Sequence, residues 1–247
     1  MYHLFRDEIY KIGEEIVKCP LRCRAVVNDP EKGIIPRGLI FEDDGSGKLG
    51  CIIVGINPGN AGKKEIEYIK EHPTYGEWVN YWDKNFRDKI KYYKDSRELA
   101  GKLLEFEGSI LWTELCKCER SKGERKAIPI STLVTCMRKF LDREMKLVEE
   151  FFGKDIPIIA LGRRTFEALC FRYSDHFIIG ISHPTGPYSH FGELMKSRNV
   201  QKAKYLIDIT KNNKENCVEV FLSNLKKKYV LHVNKTILPK VNVRIHL

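Results

Sequence analysis

Residues 51–59 read Cys-Ile-Ile-Val-Gly-Ile-Asn-Pro-Gly, an apolar run that ends in a turn of glycine and proline. Apolar and polar residues scarcely alternate along it, which is typical of a strand buried on both faces of a parallel sheet. Three more short apolar runs, at residues 109–115, 156–161 and 177–181, are also flanked by Gly, Pro or polar residues. The sequence therefore predicts four buried strands, the first of which leads directly into a glycine-rich turn.

Helical patterns, with apolar residues at three-and-four spacing, lie before and between these runs. They occupy residues 4–17, 131–152, 163–173 and 193–210. This order predicts an α/β fold, a three-layer α/β/α sandwich around a four-stranded parallel sheet. Ligands of such sheets bind beyond the carboxyl ends of the strands, so the turn at 55–59 and the segment 182–186 should face one crevice.

The chain divides into a main domain at residues 1–212 and a basic C-terminal extension at residues 213–247. Beyond Glu219 the chain contains no Asp or Glu but several Lys and one Arg, and short strand-like runs predict a small antiparallel appendage. A second irregular region, residues 60–105, is a long insertion rich in Tyr and Trp.

The charge balance favours a polyanionic partner. The 247 residues are 43% hydrophobic and 31% charged, with a net charge of +10, and a cationic surface attracts nucleic acid through counterion release. A lysine-rich surface that is only solvated would give the same balance. The sequence has no signal peptide and no apolar stretch long enough to span a bilayer, so we expect a cytoplasmic, nucleoid-associated monomer.

The turn after the first strand is a near miss to a nucleotide-binding P-loop. Residues 57–64 supply the second Gly and Lys63 of that motif, but the first Gly is missing. Lys64 stands where the motif has the Ser or Thr that holds magnesium. A P-loop-type nucleotide-dependent enzyme is therefore the least favoured of the alternatives.

A second motif, Ser-His-Pro-Thr-Gly-Pro at residues 182–187, gives an imidazole followed by a stiff loop at another strand end. Together with Gly-Ile-Asn-Pro-Gly at 55–59, it resembles the two active-site motifs of the uracil-DNA glycosylase superfamily. The first motif is similar to that of the mismatch-specific branch, in which the Asn handles the attacking water. The resemblance implies that Asn57 positions water against C1′ and that His183 stabilises negative charge on the departing base.

A further resemblance is to the iron–sulfur branch of that superfamily, known as family 4. Residues 112–119, Cys136 and the Ile-Ile-Ala-Leu-Gly stretch at 158–162 follow the order of that branch, and an upstream Cys pair precedes the first strand. The match, from about residue 19 to about residue 188, implies a [4Fe-4S] cluster. Four thiolates from separated segments would equally suit tetrahedral zinc, and Cys116 could replace Cys118. The ligands implied are Cys19, Cys23, Cys118 and Cys136.

The superfamily resemblance implies a monofunctional DNA N-glycosylase of base excision repair, acting on uracil or another deaminated or modified base in double- or single-stranded DNA. An aromatic residue of the insertion should stack on the flipped base, and we assign this role to Tyr75. Pro187 or Tyr188 occupies the place of a wedge that enters the vacated stack. The residues expected to contact base or DNA are Gly55, Ile56, Pro58, Gly59, Tyr75, Glu114, Pro184, Thr185, Gly186, Pro187 and Tyr188.

Glu114 departs from the family pattern, which has an Asn there to read uracil. An ionised carboxylate only accepts hydrogen bonds and cannot donate to O4 of uracil. It could accept from two adjacent donors on a guanine-type edge, or burial could protonate it. A non-catalytic nucleic-acid-binding relative is the main alternative to a glycosylase, although the presence of both Asn57 and His183 argues against it.

Overall fold

The computed structural model describes residues 2–123, 127–185, 191–212, 219–222, 224–225 and 228–229. Within these ranges no helix is both long and apolar enough to cross a membrane. The helices are α1 (Tyr2–Val17), α2 (Lys63–Glu71), α3 (Tyr75–Asn85), α4 (Lys91–Leu104), α5 (Ile130–Cys136), α6 (Asp142–Phe152), α7 (Arg163–Arg172), α8 (Phe191–Leu194) and α9 (Ser197–Asn212). A 3-10 turn occupies Pro30–Lys32, and a π-helical segment, Met137–Leu141, joins α5 to α6.

The strands of the main sheet are β2 (Leu39–Glu42), β3 (Leu49–Gly55), β4 (Ser109–Glu114), β6 (Ile158–Leu161), β7 (Ile178–Ile181) and β8 (Glu219–Leu222). Two small antiparallel pairs lie outside it: β1 (Val26–Val27) with β5 (Glu119–Arg120), and β9 (Asn224–Leu225) with β10 (Lys228–Tyr229). The main sheet has the order β2-β4-β3-β6-β7-β8. β2 is antiparallel to β4, and all other neighbours are parallel.

Alternate residues of the central strands face two separate hydrophobic cores. In β3, Ile52 and Val54 pack with the α1, α5–α6 and α7 side, whereas Cys51 and Ile53 pack with the α3, α4 and α9 side. Successive side chains of a strand point to opposite faces, so helices on both faces require apolar residues at every position. The unbroken apolar run of β3 is thus explained by the helices that cover both faces of the sheet.

The four predicted strands are present as β3, β4, β6 and β7, but the sheet is larger than predicted. The antiparallel edge strand β2 extends it on one side and β8 on the other. Glu219–Leu222, within the predicted C-terminal extension, forms β8, which pairs in parallel with β7 instead of belonging to a small antiparallel appendage. Most of the remaining tail lies outside the described residues.

The strand order reverses at β3, because the chain passes from β3 to β4 on one side and then to β6 on the other. The carboxyl ends of β3, β4, β6 and β7 lie at the same edge, with Gly55 beside Glu114 and Leu161 beside Ile181. Ligands of open α/β sheets bind at such a reversal.

The packing of α1 against α3 gives a first prediction. A Cβ on Gly13 would lie 2.4 Å from the ring of Tyr75, so Gly13→Ala should destabilise the protein by about 1–3 kcal/mol through overpacking. Gly101→Ala in α4 is the matched control. Its Cβ would meet nothing within 4 Å, and the helix propensity of Ala should stabilise the protein by up to about 1 kcal/mol. Urea unfolding measures both; equal stability of the two variants would contradict the α1–α3 packing.

Candidate functional site

A cavity of about 600 Å³ opens at the carboxyl edge of the sheet. Asn57, Glu114 and His183, which come from the ends of three different strands, all line it. Of the other residues predicted to contact base or DNA, Ile56, Pro58, Gly59 and Thr185 also line it. The fold therefore brings together the two motifs that the sequence analysis paired.

Aromatic side chains form much of the cavity wall. Four come from the aromatic-rich insertion and one, Trp112, from β4. Tyr92 and Trp112 have ring centroids 6.4 Å apart, and Tyr92 lies 5.5 Å from the His183 ring. Planar apolar walls of this kind accept a flat heterocycle by stacking. The four residues from the insertion are Trp78, Phe86, Tyr92 and Tyr93.

The assignment of base stacking to Tyr75 is wrong. Its side chain is 2% exposed and packs edge-to-face on Tyr10, with ring centroids 5.2 Å apart, and it does not line the cavity. The insertion contains many aromatics, and only the tertiary fold separates those in the α1–α3 contact from those in the cavity. The remaining predicted contacts divide simply: Pro184 is buried, while Gly186, Pro187 and Tyr188 lie outside the described residues.

Gly55 allows the close approach of two side chains from neighbouring elements. A Cβ at this position would lie 2.1 Å from Oε2 of Glu114 and 2.6 Å from the hydroxyl of Tyr92. Any larger residue would push both out of place. The first glycine of the Gly-Ile-Asn-Pro-Gly motif thus gives the cavity floor its shape.

The backbone N–H groups that follow the motif are bound to carboxylates of the chain itself. Ala61 N–H donates to Oε2 of Glu119 at 2.7 Å, and Gly62 N–H donates to Oε2 of Glu65 at 3.3 Å. In a P-loop such N–H groups cradle phosphate. Because two carboxylates occupy them, this turn is unsuited to the β- and γ-phosphates of a nucleotide. Lys63 and Lys64 are exposed.

Glu114 is a buried carboxyl group with little hydrogen bonding. It is 9% exposed, Tyr92 donates to its Oε1 at a long 3.4 Å, and its Oε2 has no hydrogen-bond partner among the described residues. Burial raises the pKa of Glu114 to about 8, although Lys117, the Tyr92 hydroxyl and Arg37 act in the opposite direction. A neutral carboxylic acid has one donor and one acceptor, whereas the carboxylate only accepts.

The nearby cation, Lys117, is committed to another partner. Its Nζ lies 2.7 Å from Oε1 of Glu144 and donates to the Gly38 carbonyl at 3.1 Å, and the side chains of both charged residues are almost fully buried. The Lys117–Glu144 pair thus neutralises itself, and within the described part of the chain the Glu114 carboxyl has no ion-pair partner of its own.

Two groups of Thr185 contact the His183 ring beyond β7: the hydroxyl lies 3.2 Å from Nδ1, and the backbone N–H approaches the same nitrogen. The Thr185 N–H lies 3.3 Å from Nδ1, and since a backbone N–H can only donate, Nδ1 accepts. Burial lowers the pKa of His183 below its usual value, which favours the neutral ring with its proton on Nε2. Asn57 is half-buried, and its Nδ2 donates to the Pro58 carbonyl at 2.7 Å, which fixes the side chain beside the cavity.

A second, smaller cavity is lined by five cysteines. The Lys117 N–H donates to Sγ of Cys136 at 3.2 Å. Across the described ranges, no group of three or more His, Cys, Asp or Glu side chains is arranged to hold a metal ion. Five thiols therefore line one cavity, but their arrangement does not support the binding of a single metal ion such as zinc. The five are Cys19, Cys23, Cys116, Cys118 and Cys136.

No protein-family model and no curated protein matches this chain. Among solved structures, the crystal structure of wild-type Pedobacter heparinus SMUG2 is similar over 85% of this chain and 99% of that chain, with 13% sequence identity and a TM-score of 0.37. A likeness of this degree carries no argument about function.

The raised pKa of Glu114 predicts a pH dependence of stability. The folded protein binds this proton more tightly than the unfolded chain, whose Glu titrates near 4.5, so the free energy of unfolding should fall as pH rises from about 4.5 to about 8. The slope is at most about 1.4 kcal/mol per pH unit. Glu114→Gln removes the titration, and urea unfolding across this range should show the variant gaining on wild type. A difference that stays constant with pH would contradict the raised pKa.

Proposed function

We propose that this protein is a DNA glycosylase that hydrolyses the N-glycosidic bond of a flipped uracil or another deaminated or modified base. The observation that carries the proposal is the convergence of Asn57, Glu114 and His183 on one aromatic-walled cavity at the carboxyl edge of the sheet. The resemblance of the ordered motifs to the uracil-DNA glycosylase superfamily supports the same conclusion. We also propose that this chain belongs to that superfamily.

The reaction requires the target base to leave the duplex. The glycosidic carbon is inaccessible within a stacked helix, so the nucleotide must rotate into the cavity at a cost of a few kcal/mol. Stacking on Tyr92 and its aromatic neighbours would offset that cost, at about 1–3 kcal/mol per base. The net charge of +10 and the exposed Lys63 and Lys64 beside the loop suit contacts with the DNA backbone.

Asn57 and His183 would act on opposite ends of the breaking bond. The Asn57 amide is neutral, so it would orient a water toward C1′ rather than deprotonate it strongly. The Nε2–H of neutral His183 would donate to the base carbonyl oxygen on which negative charge develops as the bond breaks. The Thr185 N–H on Nδ1 keeps that proton on the nitrogen that faces away from the loop backbone.

Glu114 would contact the hydrogen-bonding edge of the base. As a neutral acid it offers one donor and one acceptor, the same pair that an amide offers to uracil. As a carboxylate it would suit a base that presents two adjacent donors. The cavity is compatible with a uracil-like base and with a base that presents two donors. Excision of a panel of modified bases distinguishes the two classes.

We also propose that the cysteine cavity holds a [4Fe-4S] cluster through Cys19, Cys23, Cys118 and Cys136. The four come from the segment after α1, the loop before β5 and the end of α5, and they line one cavity together. Cysteine thiolates are the usual ligands of such clusters, so the support for this proposal is the set of four thiols at one cavity together with the order of the motifs. Its role would be structural, joining these three segments beside the DNA-binding surface.

Single substitutions of Asn57 and His183 should distinguish a glycosylase from a protein that only binds DNA. With oligonucleotides carrying uracil, thymine mismatches, hypoxanthine, xanthine or oxidised bases, wild type should produce alkali-labile abasic sites from at least one. Asn57→Ala and His183→Ala should each lower that rate on the order of 10²-fold, because each removes an aligned group at the reacting bond. Asn80→Ala and His3→Ala, at exposed positions that do not line the cavity, are the matched controls.

Two outcomes would speak against the proposal. If no oligonucleotide is cleaved while salt-sensitive DNA binding persists, the protein is a non-catalytic nucleic-acid-binding relative. If the control variants lose as much activity as Asn57→Ala and His183→Ala, the two residues have no special role. Glu114→Asn reports on base reading: an unchanged order of preference among the bases would exclude Glu114 as the reader.

The cluster proposal predicts a brown protein after anaerobic purification, with matching amounts of iron and acid-labile sulfide. Ser at position 19, 23, 118 or 136 should lower the iron content, whereas Cys51→Ser should not, because Cys51 is fully buried in β3 away from this cavity. Cys116→Ser tests the alternative ligand. A colourless protein that contains zinc, or iron content insensitive to all four substitutions, would contradict the cluster.

A further inference from the structure

A buried ionic cluster lies behind the loop that carries Asn57. Its members are Arg37, Glu65 and Glu119, which we call the Arg37 clamp. Nε of Arg37 lies 2.7 Å from Oε1 of Glu65, and Nη2 lies 2.7 Å from Oε2 of Glu119. The three side chains are 4%, 5% and 0% exposed. They come from the segment before β2, from α2 and from β5, so the clamp exists only in the folded chain.

Each member of the Arg37 clamp also binds the backbone of the loop. Nη2 of Arg37 donates to the Gly59 carbonyl at 2.6 Å. The other two members accept from the loop, Glu119 from the Ala61 N–H and Glu65 from the Gly62 N–H. Three consecutive peptide units after Pro58 are therefore tied to one buried charge cluster.

The loop has few other means of being held. Gly59, Asn60 and Gly62 are exposed, and of residues 59–62 only Ala61 is buried. Apolar packing therefore cannot fix this backbone, and hydrogen bonds to charged groups, which are shorter and stronger than neutral ones, must do so. A planar guanidinium suits the task because it presents donors in a rigid fork.

We propose that Arg37 is a positioning residue that sets the conformation of the loop and thereby the placement of Asn57 in the cavity. The proposal rests on the proposed function, since it gives Asn57 its catalytic role. Although Arg37 borders the cavity, its Nη2 is already bonded to the Gly59 carbonyl and to Glu119. Its contribution is thus made through the loop rather than by direct contact with DNA.

The energetics favour positioning over stabilisation. Burying three charges costs desolvation energy, and buried ion clusters replaced by apolar groups are often no less stable. Two carboxylates face one guanidinium here, and burial raises the pKa of Glu65 despite Arg37. We expect a cluster of this kind to add little to stability but to favour the one arrangement of the loop backbone that makes all three hydrogen bonds.

The test is Arg37→Lys, which keeps the positive charge but removes the planar, forked set of donors of the guanidinium. Single-turnover excision at saturating DNA should slow by roughly 10- to 100-fold, because small misplacements of a reacting group are costly, while the DNA concentration for half-saturation changes little. Hydrogen exchange should speed up for the amides of residues 59–62 and stay unchanged in β3 and β4. Glu119→Gln, which keeps an acceptor for Ala61, should fall between wild type and Arg37→Lys, and it replaces Arg37→Lys if that variant does not fold.

Arg172→Lys is the matched control, since two nitrogens of Arg172 donate to a carboxylate, Asp142, and Arg172 does not line the cavity. It should leave excision and loop exchange unchanged. The proposal is overturned if loop exchange is unchanged in Arg37→Lys, or if exchange rises and the excision rate does not fall. If wild type excises no base at all, the proposed function fails, and the exchange measurement still decides whether the clamp fixes the loop.

Discussion

The parallel pairing of Gly55 with Glu114 is the contact on which the site depends. It brings the end of β3 beside the end of β4, and the missing side chain of Gly55 leaves room for the Glu114 carboxyl and the Tyr92 hydroxyl. Asn57 follows two residues later. β7, aligned through β6, delivers His183 to the same edge. A change of register at this pair would move Glu114 relative to Asn57 and His183.

The interior of the protein contains several charged groups, and they differ in how they are compensated. Lys117 pairs with Glu144, and Arg37 pairs with two carboxylates, whereas among the residues that the structure describes Glu114 receives only a long hydrogen bond from Tyr92. Buried charges are costly unless paired, so an unpaired carboxyl in a cavity is held mostly in its neutral form. Perturbed groups of this type are frequent where a protein binds or converts a ligand. Because its charged neighbours are paired, Glu114 is the buried group for which we expect a ligand to supply the hydrogen-bond partner.

Much of this arrangement could be predicted from the sequence, for reasons that are local. Runs such as 51–56 lack alternation because both faces are covered, and residues that follow strand ends fall at one edge of a parallel sheet. The sequence could not reveal that β8 joins the sheet, because a short apolar run carries no information about which strand it pairs with. Nor could it choose Tyr92 over Tyr75, or single out Arg37. Those roles arise from contacts between residues far apart in the chain.

The central claim is that the cavity at the carboxyl edge breaks a base–sugar bond and leaves the DNA backbone intact. Mass spectrometry of an oligonucleotide after incubation with the wild-type protein tests this most directly. We expect the strand to lose the mass of one free base and gain that of one water molecule, whose OH goes to C1′ and whose H goes to the departing base, with the free base in solution and no change in strand length. Unchanged masses for every damaged base, or a cut backbone without release of a base, would contradict the account.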